Sequence, residues 1–169
     1  MMHLVEAAQR GGPHAIEDLI EAAWPDAFRI ALSVCGDRAL AEDAAQEACA
    51  ILFCTIRRLR SSAAFKVWFF RIVMRESLRL SRKRGIEIAP YPSESPDIAE
   101  QIARLDVQAA LSHLPSMQRA AVVLHFYADL NSRQIAQVLH IPDSSVRFHI
   151  MRAKRALRTS LKMELGNAV

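Results

Sequence analysis

The sequence predicts an all-α protein made of two small helical domains joined by a flexible linker. Three observations carry this. Only five glycines occur in 169 residues, and apolar residues recur over long stretches with a helical period. Near the middle, Gly85–Glu100 holds three prolines, two serines and net acid, the composition of a linker. The charge also falls into blocks. Residues 1–56 carry three arginines against nine acids, and residues 57–84 carry ten basic residues against Glu76 alone. Residues 85–109 are net −4 and residues 110–169 are net +5. Two domains of about 80 residues each suit this length. The boundaries that follow are 1–84, 85–104 and 105–169. Two basic blocks, each beside an acidic one, suggest two nucleic-acid surfaces.

Composition narrows the function classes. Apolar residues make up 51% of the chain, yet no apolar run approaches the ~20 residues that cross a membrane. The start lacks a basic segment followed by an apolar one, so no signal peptide and no membrane insertion are expected. Cys35, Cys49 and Cys54 are odd in number and lack CxxC spacing. They read as buried thiols in a reducing cytoplasm. The six histidines have no ligand spacing, no glycine loop is built for phosphate, and no nucleophile has a matching base. No enzyme activity, metal, cofactor or small-molecule substrate is expected.

Taken in order, residues 1–12 are weakly patterned and Gly11-Gly12-Pro13 breaks any early helix. From His14 to Val34, Ile16, Leu19, Ile20, Ala23, Phe28, Ile30 and Leu32 predict helices around a bend at Trp24-Pro25. Asp37 is placed to cap the next helix, Asp37 to Leu59, whose stripe is Ala41, Ala45, Ala48, Leu52, Ile56 and Leu59. Glu42, Asp43, Gln46 and Glu47 crowd the early turns, where the helix dipole favours acids. Read alone, they stabilise a helix start and solvate a face. Arg57–Ala64 is a basic exit into a short loop. The next helix begins at Phe65, with Phe65, Trp68, Phe69 and Ile72 on one side as core. Phe70 falls opposite, among basic residues, where a ring can stack on a base.

Beyond the linker, Ile102, Leu105, Ala109 and Leu111 lead into the second domain, and Pro115 marks the next join. Asn131 and Gln134 have capping-box spacing. The stripe Ile135, Ala136, Leu139 ends at His140-Ile141-Pro142, because proline disfavours helical geometry in the residue before it. Asp143 restarts the chain as an N-cap, and Val146, Ile150, Ala153 and Leu157 make one apolar face. Helix, tight turn, helix with a polar outer face is the helix-turn-helix pattern. On the outer face stand Ser144, Arg147, Phe148, Met151, Arg152, Arg155 and Arg158. Arginine forks onto guanine, serine is permissive, and Phe148 suits a thymine methyl. His125 reads as a core-edge residue and His149 as part of the DNA face.

These residues carry a family resemblance. Leu114-Pro115, Gln118-Arg119, Ile135-Ala136, Leu139, Ile141-Pro142, Ser145-Val146-Arg147 and Arg152-Ala153-Lys154 resemble region four of an extracytoplasmic-function sigma factor. AEDAAQEACAILF resembles the region-two helix that holds the clamp of RNA polymerase, which implies Glu42, Asp43, Gln46 and Glu47 as a polymerase face. FKVWFFRIVMRESLRLSRKR resembles the helix that reads and opens the upstream promoter element. The family usually has Asn where Arg75 stands, Asp where Arg79 stands, and Gly where Ala64 stands. Phosphate contact in place of base capture is therefore expected from Arg75 and Arg79, with little preference among upstream-element sequences.

The resemblance implies DNA contacts from Ser61, Ser62, Lys66, Arg71, Arg75, Arg79, Arg82 and Lys83 in the first domain. In the second it implies Arg133, Ser144, Ser145, Arg147, Phe148, His149, Met151, Arg152 and Arg155. The implied partners are promoter DNA, core RNA polymerase and an anti-sigma factor. Two other functions fit the same residues. One is a stand-alone helix-turn-helix regulator, and the other is a sigma mimic that sequesters an anti-sigma factor.

Overall fold

The computed structural model describes residues 1–83, 110–111 and 113–167, with side chains described as far as residue 159. The linker 85–104, with Arg84, Leu105 and Ala109, lies outside the described residues. Among those described, regular structure is helical: α1 (Met2–Gln9), α2 (Ala15–Cys35), α3 (Arg38–Thr55), α4 (Phe65–Lys83), α5 (Ser116–Phe126), α6 (Ser132–Leu139) and α7 (Asp143–Asn167). Single 3-10 turns at Ile56–Arg58 and Ser62–Ala64 join α3 to α4.

Helix α2 departs from the sequence expectation. Pro25 lies inside one continuous helix and does not divide it into two. Pro25 itself is exposed, so water can serve the carbonyl group that loses its partner. On both sides of it Leu19, Ala23, Ala27, Ile30 and Ala31 are buried in a single stripe. Packing that stripe outweighs one missing hydrogen bond. The helix ends at Gly36, whose φ of 68° only glycine adopts without strain.

Local chemistry sets the start of α3. The Asp37 carboxylate accepts from the Leu40 backbone N–H at 2.8 Å, an N-cap as expected. Ala41, Ala45, Ala48, Leu52 and Ile56 are fully buried and Leu59 is half-buried. The many alanines let α2 and α3 approach closely. The first turn proper, however, holds no acid. The dipole acts within about one turn, so Asp43, Gln46 and Glu47 stand too far along to serve it.

Helix α4 packs on α2 and α3 and, on a further side, on α6. Phe65, Phe69 and Ile72 are buried as expected, and Trp68 is half-buried. Phe70 is buried as well, at 2% exposure, and does not face solvent. Packing on α2, α3 and α6 leaves α4 exposed at Lys66, Arg75, Arg79, Arg82 and Lys83, and not at Phe70. The Phe65 and Phe69 rings stack at 5.5 Å between centroids.

The C-terminal helices follow the sequence closely. Asn131 and Gln134 form a reciprocal capping box, both bonds 3.0 Å. Helix α6 ends at His140 in the left-handed region, φ 54°. Asp143 lies inside the first turn of α7 and pairs with Arg147 at 3.1 Å, so it is no separate cap. Val146, Ile150 and Ala153 are buried and Leu157 half-buried. The two groups of helices share one apolar core, with α5 against α2 and α6 against α4.

Candidate nucleic-acid and polymerase surfaces

The outer face of α7 is open and basic. Ser144, Arg147, Phe148, Met151, Arg152, Arg155 and Arg158 are exposed, Phe148 at 53% and Met151 at 58%. Ser145 and His149 are half-buried at its edge. The Arg152 guanidinium sits 5.8 Å from the Phe148 ring, so one turn of helix presents an aromatic face and a cation together. Arg147 is steered by its bond to Asp143. Between the α5–α6 corner and α7 runs a groove of about 800 Å³. Its walls include Asn131, Ser132, Arg147, Met151, Lys154, Arg155 and Arg158, with no acid among the described lining residues. Arg133 is exposed on α6 nearby. Sequence reasoning missed Asn131 and Ser132 as wall residues, although the capping box already put them at the start of α6.

The polymerase-face candidates lie on α3. Asp43, Gln46 and Glu47 are exposed, while Glu42 is half-buried and takes Arg38 at 3.0 Å. The exposed Phe53 continues the same helix toward its C-terminus.

The basic residues of α4 divide into three groups. Arg75 and Arg79 both grip Glu76: Arg75 Nε donates to Oε1 at 2.9 Å and Arg79 Nε to Oε2 at 2.6 Å. The Glu76 side chain is only 7% exposed, whereas Arg75 is 63% exposed. Burial pushes the Glu76 carboxyl up, but the bonds from Arg79 and Arg75 outweigh it, and the net direction is down. The triad therefore carries a net charge of +1, not the +2 of two unencumbered arginines. Arg79 also feels the charge of Glu47 on α3.

The second group faces the C-terminal helices. Lys66 Nζ donates to the Ala128 carbonyl at 3.5 Å and Arg71 Nε to the Gln137 carbonyl at 3.2 Å. Arg82 and Lys83 form the third group, exposed at the end of α4.

Ser61 is exposed, while the Ser62 hydroxyl donates to Glu6 at 3.1 Å. The first helix therefore braces the loop that precedes α4. Gln9 adds a bond to the Leu59 carbonyl. Gly11 follows at φ 73°, where a Cβ would meet the Arg57 guanidinium at 2.9 Å. The sequence reading left residues 1–12 without a role. Leu4, Val5 and Ala8 were the available signal, a single helical stripe.

Two family descriptions match the chain in register with these surfaces. "Sigma-70 region 2" covers residues 19–86 and "Sigma-70, region 4" covers residues 104–157. The chain belongs to the sigma-70 family. Within it, the chain is an extracytoplasmic-function (ECF) sigma factor.

It is 32% identical to the ECF RNA polymerase sigma factor SigE of Mycolicibacterium smegmatis, over 86% of this chain and 61% of that one. It is 30% identical to the "Probable RNA polymerase sigma factor RfaY" of Xanthomonas campestris pv. campestris, over 94% of this chain. The matched part spans 43% of the Xanthomonas protein. In fold it resembles the sigma factor RpoE of Bartonella quintana, solved in complex with the anti-sigma factor NepR. That likeness has a TM-score of 0.73 at 21% identity, over 89% of this chain and 98% of the other. In these terms α3 and α4 belong to region two, and α5–α7 to region four.

Proposed function

We propose that this sigma-70-family chain directs core RNA polymerase to specific promoters and is held in check by an anti-sigma factor. Region four supplies the first DNA contact. Base edges meet Ser144, Ser145, Arg147, Phe148, His149 and Met151, while Arg133, Arg152 and Arg155 meet phosphates. Region two supplies the second, through Ser61, Ser62, Lys66, Arg71, Arg75, Arg79, Arg82 and Lys83. The polar face of α3 that holds Glu42, Asp43, Gln46 and Glu47 meets the polymerase. The protein does no bond chemistry of its own and works in the cytoplasm. The observation that carries this reading is the open outer face of α7, with Arg147, Arg152, Arg155 and Arg158 exposed, on a helix-turn-helix within a matched region four. The anti-sigma partner is carried over from the Bartonella relative, whose structure holds one.

The polymerase face is the part most exposed to test. Gln46→Lys with Glu47→Lys adds one positive charge and reverses one negative charge on an exposed surface that the apolar stripe of α3 does not use. Pull-down on immobilised core polymerase should lose the variant, with the helical circular dichroism signal unchanged. Undiminished capture rejects this face.

The sigma-mimic reading draws support from one observation. Lys66 and Arg71, which promoter DNA would need, are bonded to region-four carbonyls. A chain that captured an anti-sigma factor but never supported transcription would favour it.

A further inference from the structure

Where region four meets region two, a cavity of about 430 Å³ lies between α4, α5 and the end of α6. Trp68, Ile72 and Leu78 of α4, Met117 of α5 and Leu139 of α6 give it an apolar lining. Arg71, Arg75 and His140 complete it, and no acid is among the described lining residues. Small-molecule sites span about 300–1,000 Å³ and combine an apolar lining with a few convergent polar groups.

Two features set this cavity apart from a packing defect. Arg71 is half-buried, and its Nε donates to the Gln137 carbonyl of α6 at 3.2 Å. That bond uses one of five guanidinium donors and keeps a cation among apolar side chains, where a nearby anion is favourable. His140 is the second feature. It ends α6 in the left-handed region, φ 54°, where glycine sits free of strain and a side chain does not. A ring kept there against strain, beside the cavity, argues for a use of its N–H.

The lining also limits the ligand. Its apolar residues call for a hydrocarbon body and its cations for an acid head. Arg75 already shares Glu76 with Arg79, which leaves charge for a single anion rather than for a doubly charged phosphate. A carboxylate offers two coplanar oxygens to a planar guanidinium.

We infer that this cavity binds a single-chain apolar carboxylic acid, a medium-chain fatty acid in size, whose carboxylate is taken by Arg71, Arg75 and His140. The inference goes beyond the proposed function, which calls for no small ligand. An occupant that touches both halves favours their packed form, because parting them takes the cavity apart.

The test is calorimetric titration of the full chain with sodium octanoate below its micelle-forming concentration, with octanol and acetate as separate arms. Octanoate should saturate at one per chain and raise the midpoint of thermal unfolding as it does so. Octanol lacks the charge and should bind about 10- to 150-fold more weakly, the span of one hydrogen bond to a charged group. Acetate lacks the chain and should not saturate over the same range. Met117→Trp fills the cavity from region four and should abolish the saturable heat. His140→Gly relieves the strained turn, so the unliganded chain should unfold no earlier than before, while octanoate binds more weakly. A merely structural His140 would not separate the two. If Met117→Trp does not fold, His140→Gly decides the question.

Equal affinity for octanoate and octanol overturns the inference, as does binding that never saturates or that His140→Gly leaves unchanged. Capture by immobilised core polymerase, run without octanoate, tests the proposed function apart from this one.

Discussion

Arg147 and Arg152 lie five residues apart on α7 and have different surroundings. Arg147 is near the start of the recognition helix, with Asp143 holding its guanidinium at 3.1 Å. Arg152 is further along and lies over Phe148. The first geometry restrains a fork on a carboxylate and the second sets a charge over a ring. Arg147→Ala should relax base preference at one position of the DNA site read by α7, at about 1–3 kcal/mol. Arg152→Ala should weaken binding to every sequence and lower the salt slope by about one. Titration of each variant against a promoter panel at two salt concentrations separates them; equal, sequence-independent losses would contradict the assignment of this face. Of the three cysteines, Cys54 is exposed, against the sequence expectation, and Cys35 and Cys49 are buried as expected. Burial pushes the Cys49 thiol up to about 11 and the Cys35 thiol upward too, which leaves both poor nucleophiles.

Among the elements, α6 is short and leans on its ends. Eight residues form a marginal helix without caps. The Asn131–Gln134 box satisfies two backbone donors at its start. Asn131→Ala should therefore cost about 1 kcal/mol, within a range of roughly 0.5–2. Urea unfolding checks this, and an unchanged midpoint would mean that tertiary contacts alone hold α6. Asp37, this box and the buried face of α7 were legible in the sequence because their causes act within one or two helical turns. Pro25 and Phe70 were not, since each depends on neighbours distant in the chain. The same divide runs through the candidate site. The exposed face of α7 follows from helical period alone. The grip of Arg75 and Arg79 on Glu76 does not, because it needs the burial of Glu76 against other helices. The bonds of Lys66 and Arg71 to region-four carbonyls were likewise out of reach, being set by how the two halves meet.

Across the whole molecule, Tyr127 joins those halves. Its hydroxyl accepts from Arg29 at 2.6 Å and donates to Asp26 at 3.0 Å, and the Arg29 guanidinium lies 4.9 Å from its ring. Burial and the bond to Asp26 push its phenol up, so the donor stays protonated at neutral pH. Tyr127→Phe keeps the ring and removes both bonds, each worth about 0.5–1.5 kcal/mol net. Small-angle scattering should show a larger radius of gyration at unchanged helicity; an identical radius would show that the shared apolar core suffices. On the proposed function the halves present two DNA surfaces at once, one on region two and one on region four. Run-off transcription with purified core polymerase, the full chain and a randomised promoter library tests this most directly. Transcripts should start at a fixed distance from an enriched two-part sequence, one part for each region, and vanish when either the chain or the core is left out. Sequence-specific binding of the chain alone, with no transcript from any template when core is added, would contradict it.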